Sequence, residues 1–259
     1  MSAFVAFDHV SLAYDASGNA IEDIDLDIHE GEFVAFVGPS GCGKSTFMKL
    51  CTGLHAPTAG SIRVDGVAVT EPLKISGMAF QNANLLPWRT TLDNVLLPLE
   101  IVKPYRHQFR KRREEFVGWA RELLKTVGLA DYEDQYPWQL SGGMQQRASI
   151  CRALIHQPRL LMLDEPFGAL DAFTREELWC VLRDLWEAQR FTVVLVTHDL
   201  REAAFLADTV YVMSPRPGRI VERREIDLPR PRALDITYDK PFIDLVHDLR
   251  AQIGEIRSR

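Results

Sequence analysis

From Asp23 to Ile28 the chain alternates strictly, with Ile24, Leu26 and Ile28 on one side of an extended backbone and Asp23, Asp25 and Asp27 on the other. A period of two marks a half-buried strand, and with Phe4 and Ala6 assigned to the same apolar face the opening of the chain predicts antiparallel strands. Phe33–Val37 is apolar at every position and runs into glycine, as a strand covered on both faces does. Leu160–Leu163 before Asp164, and Thr192–Val196 before Thr197 and His198, repeat that pattern. Three buried strands that each give way to polar residues predict a parallel α/β sheet with ligands at its strand ends. Gly60–Gly66 alternates between two glycines and reads as a further strand of the antiparallel part, ending in a turn.

Between Gln81 and Pro158 the period changes. Phe116, Ala120, Leu123, Leu124 and Val127 recur at three and four, and Gly128 closes the run, which predicts a helical insertion. After Ser214–Gly218 come a short strand over 219–228, a link rich in Pro and Arg, and a last helix. Its Phe242, Leu245, Val246, Leu249, Ile253 and Ile256 form one stripe, read as docking on the chain's own domain. No internal repeat of the whole pattern is found.

With 259 residues, 46% apolar and 25% charged, the chain can bury a core of its own, and collagen-like, mucin-like and disordered readings are excluded. Its 36 acidic against 30 basic residues leave a net charge of −6, so nucleic acid is not expected as a partner. Cys42, Cys51, Cys151 and Cys180 form no C-x-x-C pair, which argues against disulfides and structural zinc. The opening residues lack a secretory leader pattern, and no window approaches about 18 uninterrupted apolar residues. The expectation is a cytoplasmic protein that works at a membrane only through a separate spanning subunit.

Gly38-Pro39-Ser40-Gly41-Cys42-Gly43-Lys44-Ser45-Thr46 satisfies G-x-x-x-x-G-K-[ST] directly after a buried strand and before helical spacing. Its glycines let backbone N–H groups turn inward around phosphate oxygens at a positive helix end. Lys44 is placed on the β and γ phosphates, and Ser45 supplies a hydroxyl to Mg²⁺, a hard ion that prefers oxygen. Asp164 and Glu165 end the second buried strand, where the first can hold Mg²⁺ through water and the second can polarise the water that attacks the γ-phosphate. His198 ends the third, in position to bridge that phosphate and the attacking water. Leu140-Ser141-Gly142-Gly143-Met144-Gln145-Gln146-Arg147 offers a serine N-cap and two glycines, a second anion site in one chain.

Together these residues resemble the nucleotide-binding subunit of an ATP-binding cassette transporter, with the Walker A motif at Gly38–Thr46, Walker B at Leu160–Glu165 and the signature at Leu140–Arg147. The likeness reaches to about residue 225. It implies an α/β P-loop NTPase cassette: a RecA-like core, an antiparallel β subdomain and an α-helical subdomain at about 82–158, all within 1–228, followed by a linker and amphipathic helix over 229–259. It also implies a head-to-tail homodimer in which each ATP, with Mg²⁺, lies between Walker A of one copy and Ser141, Gly142, Gly143 and Gln145 of the other. The resemblance assigns adenine stacking to Tyr14, a Mg²⁺ and water contact to Gln81, and an interface loop to Ala169–Asp171, with Asp171 at the nucleotide.

Leu85–Trp88, Pro166–Ala172 and Met213–Ile220 are similar to the ATPases of bacterial nitrate, sulfonate and taurine importers. That likeness implies two transmembrane permease subunits contacted near Leu86–Trp88, a separate extracytoplasmic solute-binding protein, and a peripheral place on the cytoplasmic face of the cell membrane. The alternative, a soluble cassette ATPase acting on nucleic acid or ribosomes, calls for long coiled-coil insertions or two fused cassettes, which a chain of this length with one motif set does not hold. Thr52, Ser149 and Cys151 are expected on helix faces away from the chemistry. Cys42 is expected beside the phosphates, open to a bulky thiol reagent and protected by ATP. The basic run Arg106, Arg110, Lys111, Arg112 and Arg113 is compatible with anionic headgroups, but with Glu114 and Glu115 following and Phe109 and Phe116 marking the buried side it reads rather as a solvated helix face.

Overall fold

A computed structural model describes residues 3–14 and 18–258, with the side chains of 257 and 258 excepted, so Met1 and Ser2 of the opening lie outside it. The elements in chain order are β1 (Val5–Ala13), β2 (Asn19–Ile28), β3 (Phe33–Val37), α1 (Lys44–Cys51), β4 (Ala59–Val64), β5 (Val67–Ala68), β6 (Ser76–Phe80) and α2 (Thr91–Ile101). They continue with α3 (Tyr105–Gln108), α4 (Arg113–Thr126), α5 (Gly142–Leu154), β7 (Leu160–Asp164), α6 (Ala172–Gln189), β8 (Thr192–Val196), α7 (Leu200–Leu206), β9 (Thr209–Met213), β10 (Ile220–Glu225) and α8 (Lys240–Ser258). The chain divides into two compact units, one made of 1–73 and 187–259, the other of 74–186.

The first unit holds an antiparallel sheet in the order β2-β1-β4-β5 and a set of strands in which β3 lies parallel between β8 and β9, with β10 antiparallel on the outer side of β9. All five residues of β3 are buried, as their unbroken apolar run requires. β2 keeps its acids outward and Ile24, Leu26 and Ile28 inward. β1 departs from the expected face. Val5 and Phe7, the larger side chains, point inward while Ala6 is half-buried; beyond Phe7, where the register shifts and His9 takes a left-handed φ of 48°, the inward positions move to Val10 and Leu12. The bulge resets the alternation by one residue, which no period-two pattern can reveal.

An aromatic column joins the two sheets of this unit: Phe47 of α1 stacks on Phe7 at 4.7 Å and leans on Phe36 at 4.1 Å, and Phe36 stacks on Tyr211 at 5.0 Å. The Tyr211 hydroxyl donates to the Asp27 carbonyl at 3.1 Å. All four rings are nearly fully buried, so α1, and the loop that leads into it, rest on a rigid base. α8 packs against α7 through a stripe anchored by buried Phe242 and Leu249. Fully buried Arg232, between β10 and α8, donates to the carbonyls of Ala204, Phe205 and Ala207 at the end of α7 and of Ile226.

In the second unit β6 and β7 pair in parallel, Ser76 with Leu160 through Phe80 with Asp164, and α2, α4 and α5 pack together. Helix α5 lies so close to β6 that a Cβ on Gly77 would stand 2.1 Å from the Ala153 carbonyl oxygen. Ser149 and Cys151 of α5 are buried, as is Thr52 at the end of α1 in the first unit, whose hydroxyl is satisfied by the Met48 carbonyl at 2.8 Å. No helix of the described residues is long and apolar enough to cross a membrane.

Candidate functional site

In the first unit the phosphate loop runs from the end of β3 into α1. Gly43 precedes the helix with φ 105°, and a Cβ there would stand 3.0 Å from both the Ala20 carbonyl oxygen and an Ile21 side-chain carbon, so only glycine makes this turn. Helix α1 has neither a side-chain cap nor an acid in its first turn, which leaves its positive end open to an anion. The Lys44 ammonium, almost buried, donates to the carbonyls of Gly38 and Pro39, each at 3.0 Å. The loop thus holds a full positive charge in place with its own backbone. Ser45 and Thr46 follow in the same first turn, and the Thr46 hydroxyl is 3.1 Å from that of Tyr14. Tyr14 is 51% exposed, with His55 edge-on at 5.5 Å, so a ring face is open beside the loop.

Cys42 departs from expectation: it is 1% exposed, its Sγ lies 3.7 Å from Lys44 Nζ, and burial raises its thiol pKa in spite of that ammonium. His198 is exposed just past β8, whose Val196 pairs with Phe36, so Gly38 and His198 leave neighbouring parallel strands at the same end. Both line a cavity of about 520 Å³ with Arg201 of α7 and Val246, Arg250 and Ile253 of α8.

In the second unit the pairing of Phe80 with Asp164 makes Gln81 and Glu165 the first residues past the same end of two adjacent strands. Glu165 has φ 47°, a left-handed conformation that costs a non-glycine residue free energy and is found where the surroundings over-determine it. The Gln81 amide nitrogen stands 3.1 Å from where a Gly168 Cβ would be. Ser141 caps α5 by accepting from the Met144 N–H at 3.3 Å, and no acid lies in the helix's first turn. Gly142 is exposed, whereas a Cβ on Gly143 would meet Thr174 Cγ2 at 2.4 Å. Thr174 also donates to Asp171 through its backbone N–H at 3.1 Å and its hydroxyl at 2.7 Å, and these bonds hold the Asp171 carboxyl below its usual range. The signature and the 169–171 loop therefore share Thr174. The Gln145 amide turns back to the carbonyls of Pro137 and Leu140, at 3.0 and 3.2 Å.

Residues the sequence patterns did not mark do much of the positioning. Gln146 donates to the Phe80 carbonyl at 2.8 Å, and Arg152 to those of Ala83 and Asn84 at 2.6 and 2.8 Å, so α5 grips the backbone on both sides of Gln81. Fully buried Asn94 accepts from the Leu86 N–H at 2.7 Å and donates to the carbonyls of Leu86, Arg89 and Thr90. It fixes a loop on which Trp88 is 70% exposed. The only available signals were a polar amide side chain on an apolar helix and a second glutamine beside Gln145.

The family described as ABC transporter matches residues 21–168, more than half of the chain. The chain belongs to the ABC transporter family. The cassette is 45% identical over 208 residues to the taurine import ATP-binding protein of Yersinia pestis, with 80% of this chain and 79% of that one covered. It is 44% identical over 223 residues to the nitrate import ATP-binding protein of Synechococcus elongatus, covering 86% and 80% of the two. Among solved structures, a dimeric post-hydrolysis state of an ATP-binding cassette bound to ADP and phosphate is 32% identical with a TM-score of 0.73, covering 87% of this chain and all of that one. The chain is therefore an ATP-binding cassette and an ATPase, of α/β fold, with the antiparallel sheet and helical insertion described above.

Proposed function

We propose that the cassette is the ATP-hydrolysing subunit of an importer of small anions, and that two copies close head to tail around two ATP molecules. One observation carries the dimer: the chain has two helix ends led by glycine, at α1 and α5, neither with an acid in its first turn, and only one of them is backed by a lysine. A single nucleotide needs one Walker loop, so the second anion seat fits the γ-phosphate held by another copy. The import reading rests on the relatives named for taurine and nitrate import, and on the exposed Trp88 as a permease contact beside Leu86 and Pro87. The solute-binding protein and the peripheral location on the cytoplasmic face follow from that reading.

In this proposal Gly38–Thr46 enclose the phosphates, Lys44 neutralises the β and γ oxygens, and Tyr14 stacks on the adenine. Ser45, Gln81 and Asp164 can each offer an oxygen, which fits Mg²⁺, and the ion when bound would neutralise charge developing on the phosphate oxygens. Glu165 accepts a proton from the water whose oxygen attacks the γ-phosphorus as the bond to ADP breaks, and His198 orients that phosphate. Ser141, Gly142 and Gly143 receive it from the opposite copy. Gln145, its amide bonded to its own loop, sets the turn, and Asp171 lies at the interface. ATP joins two positively polarised ends; hydrolysis removes the joint and the copies part.

Glu165→Gln tests this directly. It should keep ATP binding, slow turnover by about 10²- to 10⁴-fold and accumulate an ATP-bound dimer. Normal phosphate release by the variant would remove Glu165 from the reaction.

A further inference from the structure

Residues 103–113 contain six basic side chains and no acid, in a chain whose net charge is −6. That stretch joins α2 to α4, and its geometry is built rather than loose. Arg112 donates to Glu115 at 2.7 Å and to Gln108 at 2.5 Å, and its guanidinium lies 5.2 Å over the Phe116 ring and 5.8 Å over Trp119. Phe109 stacks on buried Phe116 at 5.9 Å. With Arg112 and the two phenylalanines turned inward, Arg106, Arg110 and Lys111 are exposed and have no ion-pair partner among the described residues, and Arg113 reaches Asp93 only at 3.7 Å. Arg110, Lys111 and Arg113 line a concavity of about 810 Å³ that also includes Glu114, Glu115 and Arg121; Glu115 is bonded to Arg112, and Arg121 to Glu133.

We propose that this turn between α3 and α4 docks on anionic lipid headgroups, a reading that rests on the peripheral membrane location proposed above. Headgroup phosphates complement a short, dense cluster of unpaired cations, each worth about a fivefold gain in binding near an anionic surface. A neighbouring apolar side chain favours a lipid surface over other polyanions. Ile101, at the end of α2 and two residues before this stretch, is 60% exposed. Basic residues beside a solvent-facing Ile match the composition of a membrane interface. A long nucleic acid would meet the repulsion of an acidic chain away from this one turn.

The test uses the full chain in vesicle flotation, with phosphatidylcholine vesicles with and without phosphatidylglycerol. The wild type should float only with the anionic vesicles and be released by salt. Arg106→Gln, Arg110→Gln and Lys111→Gln together should weaken that binding by about tenfold or more, with an unchanged melting curve and unchanged ATPase in lipid-free buffer. Equal flotation with both vesicle types, undiminished flotation of the triple variant, or binding to single-stranded RNA but not to anionic vesicles would each overturn the proposal. Intact ATPase with no flotation sinks the docking surface alone; flotation without any ATPase sinks the functional reading instead.

Discussion

A cysteine in the middle of a phosphate loop suggests a reactive thiol, yet burial outweighs the ammonium next to it. Cys42 Sγ is 1% exposed and its pKa is raised, so the thiolate that would attack a reagent is scarce and shielded. Cys180, half-buried on α6, is the most open of the four. Maleimide treatment of the native protein, read by peptide mass spectrometry, should therefore label Cys180 first, with Cys42 labelled only as the fold opens; early labelling of Cys42 would contradict the packing around Lys44. His156 gives a second prediction at this scale. Its Nε2 lies 3.1 Å from the Ser76 carbonyl oxygen, its Nδ1 is buried without a partner, and burial holds its pKa below 6.5. The unfolded chain then takes up a proton before the folded one does. Stability from this group is intact above about pH 6.5 and falls as pH drops from there toward the folded pKa. Melting curves over about pH 7.5 to 5.5 should show that decline, and His156→Gln, which keeps a donor but cannot charge, should flatten it.

At the scale of elements, the buried strands were legible because a continuous apolar run that gives way to glycine or polar residues has few other solutions, and β3, β7 and β8 fall where those runs lie. The phosphate loop was legible for a similar reason: its geometry admits almost one sequence pattern. Polar clamps leave no such trace. Gln146 and Arg152 bond carbonyls 66 to 69 residues away, and Arg232 bonds carbonyls 25 to 28 residues back, so nothing local betrays them. In the proposed mechanism these clamps join chemistry to movement: α5 carries Ser141 at one end and grips the backbone flanking Gln81, so tilting α5 is expected to reach the segment that leads to Trp88. Arg152→Met should leave ATP binding by the isolated cassette intact, and in the reconstituted transporter it should lower solute uptake more than ATP hydrolysis. A proportional loss of both would argue against this linkage. Arg232→Met strips the hydrogen bonds from four carbonyls at the end of α7 and after β10, and should cost on the order of 3 kcal/mol, a fall of several degrees in melting temperature.

At the scale of the whole molecule, the residues proposed for one turnover are divided between the two units of the chain. The phosphate loop and His198 belong to one, while Gln81, Asp164, Glu165 and the signature belong to the other. In the proposed pair the triphosphate is shared between two copies, so the free energy of holding it can bring two chains together. That sharing also separates two capacities. In that proposal binding of ATP by one chain depends on Lys44 and the α1 helix end, whereas closure depends on the α5 end of another. Ser141 is exposed, and the neighbouring Gly142 has open space where a Cβ would stand, so a large side chain at 141 can be accommodated by the monomer. In the closed pair that side chain would occupy the seat of the γ-phosphate. Glu165→Gln alone should elute as an ATP-dependent dimer in size-exclusion chromatography with light scattering. Adding Ser141→Arg should return it to a monomer whose affinity for a fluorescent ATP analogue is unchanged. A double variant that still dimerises with ATP would mean that the α5 end does not face the nucleotide of the other copy, whereas loss of nucleotide binding would mean that the two capacities are not separable.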